Sequence, residues 1–172
     1  QTFRLMKKNT AINSGWNWPA LLGWLVFAAL LFGLDQWTKD WVQHQMIVGD
    51  SRKITDFFNL VVAYNSGAAF SFLADAGGWQ KPLFAGLALV VSFVICILIA
   101  RKSQEKLLCL GLSLVMSGAL ANAYDRLTIG VVVDFLDFHL AGYHWPAFNV
   151  ADICICVGAF IVVLVEFFFS KK

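Results

Sequence analysis

The stretch that decides the fold runs from Asn122 to Asp152, NAYDRLTIGVVVDFLDFHLAGYHWPAFNVAD. It joins two long apolar segments, yet it holds four of the chain's eleven acidic residues: Asp125, Asp134, Asp137 and Asp152. Asp134 and Asp152 are embedded in apolar sequence, VVVDFL and FNVADICICV. A carboxylate at the edge of a hydrocarbon phase is costly, so each is a functional candidate by default. The stretch reads as the end of one membrane span, a short strand over 129–138, a loop carrying His139 and His144, and the start of another span. The two histidines match no metal-ligand spacing and read as solvated or interfacial loop residues.

Working outward, the composition supports a membrane protein. The 172 residues are 59% hydrophobic and 14% charged, with a mean hydropathy of +0.70. Soluble domains carry about a quarter charged residues. Basic residues mark the ends of apolar runs rather than forming a nucleic-acid footprint, so no nucleic-acid partner is expected. Cys96, Cys109, Cys154 and Cys156 all lie in apolar sequence, where they read as small packing residues rather than as a disulfide framework or metal ligands.

The expected fold is an all-α integral membrane protein, a single domain over 1–172. It has four transmembrane helices at about 18–36, 82–100, 107–124 and 150–169. The segments 47–80 and 126–148 form a small extracytoplasmic platform that contains β-structure. Seventeen to twenty apolar residues rise about 25–30 Å, enough to cross the hydrocarbon core. The β-branched and aromatic run ITDFFNLVVAY over 54–64 reads as a strand, and Gly49-Asp50 as the turn before it. Asn65 to Phe70 follows as a small-residue loop where backbone can approach a ligand closely. Ser113, Ser117 and Ala121, with Gly111 and Gly118, give the third span a small-residue face for close helix packing in lipid.

Topology follows from charge. Both termini and the 101–106 loop share one side, with eight of the thirteen Lys/Arg. That makes both ends cytoplasmic and leaves nine of the eleven acids on the outer side. Several acids also have ordinary readings. Asp35 and Lys39 are one turn apart and can be a headgroup-level ion pair or support for a nearby site. Asn65 can be a turn residue. Asn149 is a good N-cap, and Asp152 three residues later completes a capping box. Asp125 lies where the helix dipole opposes a carboxylate, so it reads as an ion-pair partner rather than a cap.

With these motifs placed, the chain resembles the bacterial lipoprotein signal peptidase family, signal peptidase II, over nearly its whole length. The carriers are Asp35 after the first apolar run, YNSGAAF from Tyr64, GALANAYDR from Gly118, VVDF from Val132 and FNVAD from Phe148. Ala121 departs from the family's usual glycine before the motif asparagine. The resemblance implies an aspartyl endopeptidase that removes the signal peptide from diacylglyceryl-modified prolipoproteins, on the amino side of the lipidated cysteine. It implies Asp134 and Asp152 as the catalytic pair, and Asn65, Gly67, Asn122, Arg126 and Asn149 as substrate-binding residues. Asp35 and Asp125 would be structural supports. It implies no metal and no cofactor, membrane lipids as surroundings, a monomer, and a multi-pass place in the bacterial cytoplasmic membrane with the site near the outer face. The chemistry fits on its own terms, because two close carboxylates share one proton and can supply both base and acid for peptide hydrolysis. The rivals are a proton-coupled transporter, which usually needs more spans or internal repeats, and a membrane scaffold in which Asp152 only caps and Asp134 only pairs with Arg126.

Overall fold

The computed structural model describes residues 16–66 and 78–168. Four helices, α1 Trp18–Gln45, α2 Gln80–Arg101, α3 Lys106–Thr128 and α4 Val150–Phe168, are each long and apolar enough to cross a membrane. Asn17 caps α1 by accepting from the Ala20 N–H at 3.1 Å, with Pro19 in the first turn, where a missing donor costs nothing.

The third helix is the hub. It packs against α1, α2 and α4 and touches the sheet. Its small-residue face explains the closest of these contacts. A Cβ on Gly118 would stand 2.2 Å from the Ala151 carbonyl oxygen, and one on Gly111 would stand 2.9 Å from that of Gly158. Only glycine lets α3 and α4 approach so closely. Toward α2 the spacers are alanines, with Ala85 and Ala88 against Ala119 and Ala123. At the opposite end, Leu21, Ile99, Leu108, Leu112, Met116 and Val165 form the main apolar cluster.

The first helix extends well past the expected span. At 28 residues it rises about 42 Å, so its last turns stand clear of a hydrocarbon core about 30 Å thick. Asp35 therefore lies inside the helix rather than at its end. The projecting turns bury Val42, and with Met46 beyond the helix end they pack on Val62 and Phe135 of the sheet. The helix is the post on which the platform stands.

The platform is a four-stranded antiparallel sheet, β1 Ser51–Lys53, β2 Phe58–Asn65, β3 Val132–Leu140 and β4 Tyr143–His144, in the order β1-β2-β3-β4. The two short edge strands are not expected from the sequence, since three and two residues carry no readable alternation. The histidines lie in strands rather than a loop: His139 is in β3 and His144 in β4, paired across the hairpin with stacked rings. A bulge in β2 between Leu60 and Ala63 shifts the register beside Asp134. Bulges re-aim side chains and recur next to active sites.

Two connections place the ends of α3 and α4 together. Gly130, at φ +81°, closes α3 by donating to the Asp125 carbonyl at 3.1 Å and turns the chain into β3. After β4 the chain returns beside β3, where Phe148 bridges Leu136. The next residue, Asn149, is thereby set against Asp134 at the entrance to α4.

Candidate active site

Asp134 and Asp152 reach the same place from different elements. Asp134 projects from β3 and Asp152 from the first turn of α4, and both line one cavity of about 580 Å³. Asn65, Asn122 and Arg126 line it too, with apolar walls from α2 (Phe84, Leu87, Val91) and from the first two turns of α4 (Ile153, Ile155, Val157). The cavity therefore has a small polar end at the sheet and a long apolar arm between α2 and α4.

Three asparagines hold the two carboxylates. Asn149 donates from Nδ2 to Asp134 Oδ1 at 2.7 Å, and Asn65 donates to Asp134 Oδ2 at 3.2 Å. Asn122 donates from Nδ2 to Asp152 Oδ1 at 2.8 Å. Asn149 also reaches Asn122 Oδ1 and the Val133 carbonyl, both at 3.3 Å, so a single chain of amides runs from one acid to the other. The capping box is present as well: the Asp152 N–H donates to Asn149 Oδ1 at 2.9 Å, and the Asn149 N–H donates to Asp152 Oδ2 at 3.3 Å. Capping fixes the side chain with its Oδ1 still directed into the network.

Asp134 is only 3% exposed. Burial, and then the neighbouring charge of Asp152, push its pKa up to about 7, against the hydrogen bonds from Asn65 and Asn149 and the charge of Lys39, which lower it. Asp137, three residues along the same strand, is the contrast. It accepts from His144 Nδ1 at 2.8 Å and from Asn59 at 2.8 Å. Burial works to raise its pKa, but these partners outweigh it and hold the carboxyl below the usual range. Asp137 faces away from the cavity and belongs to the sheet's own bonding.

Behind the amides lies a buried ion cluster. Lys39 Nζ is 2.7 Å from Asp35 Oδ2, 2.7 Å from Asp125 Oδ2 and 3.1 Å from Asn122 Oδ1. Gln36 bonds Asp125 Oδ1 at 2.8 Å, and Asp35 Oδ1 accepts from the Ala151 N–H at 2.8 Å. Arg126 donates to the carbonyl of Asn122 at 3.0 Å, and its guanidinium lies 5.3 Å over the Phe84 ring. Gly67, expected among the substrate-binding residues, lies outside the described residues, as does the rest of the loop from Gly67 to Phe70.

The comparisons with known proteins show the family and the fold. The family model described as signal peptidase (SPase) II matches residues 27–169. The chain belongs to the signal peptidase II family. It is 54% identical over 143 residues to a lipoprotein signal peptidase of Ralstonia nicotianae, covering 83% of each protein. It is 48% identical over 163 residues to that of Paraburkholderia phytofirmans, covering 95% of this chain and 94% of the relative. A solved structure described as a bacterial membrane enzyme, obtained by the in meso method at 2.3 Å resolution, superposes with a TM-score of 0.76 at 26% identity, over 92% of this chain and 95% of that one. A second, at 1.9 Å resolution, gives a TM-score of 0.75 at 24% identity and supports the fold alone. As a signal peptidase II family member, the chain is a protease of lipoprotein processing and a multi-pass protein of the bacterial inner membrane.

Within this member of the family, sequence reasoning left Lys39 between a headgroup-level ion pair and support for a site, and it did not single out Gln36. A signal for Lys39 was present. Leu21, Ala28, Asp35 and Val42 recur at intervals of seven, and all are buried on one face of α1. Lys39, four residues after Asp35, falls on that same face. An i,i+4 pair on a buried stripe is a different object from one at a headgroup surface.

Proposed function

We propose that the chain is an aspartyl endopeptidase in which Asp134 and Asp152 activate water, cutting diacylglyceryl-modified prolipoproteins on the amino side of the lipidated cysteine. The observation that carries this reading is the convergence of two carboxylates from different elements on one amide network at the polar end of an otherwise apolar cavity. The raised pKa of Asp134 keeps a proton on the pair near neutral pH.

In the reaction the ionised carboxylate takes a proton from water as its oxygen attacks the scissile carbonyl. The protonated partner gives its proton to the carbonyl oxygen, and a tetrahedral diol forms. Its collapse breaks the C–N bond: the leaving nitrogen takes a proton from the pair, a diol hydroxyl returns one to it, and the signal peptide departs as a carboxylic acid. The lipidated cysteine is left with a free α-amine, and the pair again holds one proton. Asp152 is the stronger candidate for the ionised member, because it sits in the first turn of α4, where the helix dipole favours negative charge. Asn65 and Arg126, which line the cavity, supply donors for the substrate backbone and for the developing oxyanion, while Asn122 and Asn149, expected to bind substrate, instead spend their amides on the two carboxylates. Asp35 and Asp125 anchor Lys39 and the α4 entrance.

The apolar arm between α2 and α4 supports a lipid-anchored substrate, since acyl chains lie there without leaving a hydrocarbon environment. Membrane lipids and the precursor are the partners of this reading. The charge asymmetry, eight Lys/Arg against five, supports cytoplasmic termini and a site near the outer face.

The test is cleavage by purified protein of a precursor with and without its diacylglyceryl group, with the cut bond located by mass spectrometry. Cleavage immediately before the modified cysteine, and only of the modified precursor, is expected. Equal cleavage of both forms, or a cut elsewhere, contradicts the substrate assignment.

A further inference from the structure

Lys39 is 2% exposed, and its three donors meet three oxygens: Asp35 Oδ2, Asp125 Oδ2 and Asn122 Oδ1. An ammonium donates and cannot accept. The Asn122 carboxamide must therefore turn its oxygen toward Lys39, which leaves its NH2 for Asp152 Oδ1 at 2.8 Å. Rotating that amide by half a turn would set NH2 against ammonium and oxygen against carboxylate, two repulsive contacts in place of two attractive ones. Asn149 is locked in the same sense, since its oxygen accepts the Asp152 N–H and its NH2 serves Asp134. We propose that Lys39 is a positioning residue for the acid pair, its ammonium fixing the orientation of Asn122 and, through it, the Asp152 carboxylate. This inference rests on the aspartyl reading above.

The alternative role for Lys39 is neutralisation of Asp35 and Asp125 alone. The geometry goes further, because the third donor is spent on the residue that bonds Asp152. The charges around the pair are few. Asp35 and Lys39 come from α1, and Asp125 and Arg126 from α3, while the α2 residues that line the cavity are the apolar Phe84, Leu87, Ala88 and Val91. Lys39 also acts on the pair through space, its positive charge working to lower the pKa of Asp134. Loss of Lys39 removes both the amide lock and a nearby positive charge.

Removing Lys39 alone would strand two buried carboxylates, so the test uses a charge-balanced pair, Lys39→Met with Asp125→Asn. Wild type, this pair and Asp134→Asn are compared in one assay of diacylglyceryl-precursor cleavage across pH. The pair is expected to lose about 10²-fold in kcat with little change in KM, as misplaced catalytic groups do. Its acidic limb is expected to move upward by roughly one pH unit, because Lys39 works to lower the pKa of Asp134 whereas the Asp125 charge removed with it is not among the influences on that group. A folded pair with the wild-type profile overturns the inference, provided Asp134→Asn is inactive. An active Asp134→Asn instead overturns the aspartyl reading itself. If the pair does not fold, Asn122→Asp decides. It keeps an oxygen for Lys39 but sets a carboxylate against Asp152, and it should shift the acidic limb upward in the same sense. An unmoved limb in Asn122→Asp overturns the inference.

Discussion

Asp134 holds its proton at a cost that can be measured. Its pKa of about 7 in the folded protein lies above the ordinary carboxylate value near 4. Between those two pH values the folded state binds a proton that the unfolded state releases, so stability falls as pH rises through this window. Asp134→Asn removes the cost. The variant is expected to melt at a higher temperature than wild type at pH 8, with the gap closing toward pH 4, as read by thermal unfolding in detergent. A variant less stable than wild type at pH 8 would contradict the buried, proton-holding environment. The same value gives a kinetic expectation: cleavage should decline on the alkaline side with a midpoint near 7, as the pair loses its shared proton. At this scale the sequence was informative where a residue was out of place. Acids inside VVVDFL and FNVADICICV stand out against their neighbours. Lys39 did not, because a lysine four residues after an aspartate is ordinary helix chemistry until its burial is known. Asp137 was one more acid in the same stretch, and only its cross-strand partners, His144 and Asn59, separate it from the pair.

Among the elements, the contact between α3 and α4 sets the position of Asp152. The Ala151 carbonyl lies where a Gly118 side chain would be, and Ala151 is the residue before Asp152. Gly118→Leu should push the first turn of α4 away from α3, costing about 1–3 kcal/mol in stability and a larger share of activity. Leu87→Ala, on the apolar arm of α2, should leave the melting temperature closer to wild type. Thermal unfolding and precursor cleavage measured together check this. Wild-type activity in Gly118→Leu would mean that the helix contact does not position the acid. The spans and the small-residue stripe were legible because lipid imposes length and close packing directly on the sequence. The strands were legible in part. Residues 54–64 and 129–138 were expected, against Phe58–Asn65 and Val132–Leu140 in the structure. The edge strands and the β2 bulge escaped notice because pairing across the sheet creates them, not any local pattern.

At the scale of the whole molecule, aromatic residues mark the membrane boundaries. Trp16 and Trp18 stack 5.4 Å apart at one end of α1, with Arg101 beside them. Trp37 and Trp41 are exposed further along the helix. From Trp18 to Trp37 the helix rises about 28 Å, close to the thickness of the hydrocarbon core. Asp35, Lys39 and the network above them thus sit at the interface, where water can enter and an acyl chain need not leave. Reporter fusions ending after Gly78 and after Gly142 are both expected to read as extracytoplasmic. A cytoplasmic signal from either would contradict the four-span topology with inside termini.

The central claim is that two aspartates act as one unit, and capping supplies a concrete competitor for one of them, since Asp152 does complete a capping box. The most direct measurement is single-turnover cleavage of a diacylglyceryl-modified precursor by purified Asp134→Asn, Asp152→Asn and the double variant, each shown to be folded. Asparagine keeps the shape and part of the hydrogen bonding but cannot exchange a proton. Each single variant is expected to lose about 10²–10⁴-fold or more, and the double variant little beyond that, because groups that act together are not additive. If Asp152 only capped α4, its asparagine variant would cost at most about 1 kcal/mol of helix stability and cleavage would persist. A folded Asp152→Asn protein cutting precursor at a near-normal rate would contradict the account.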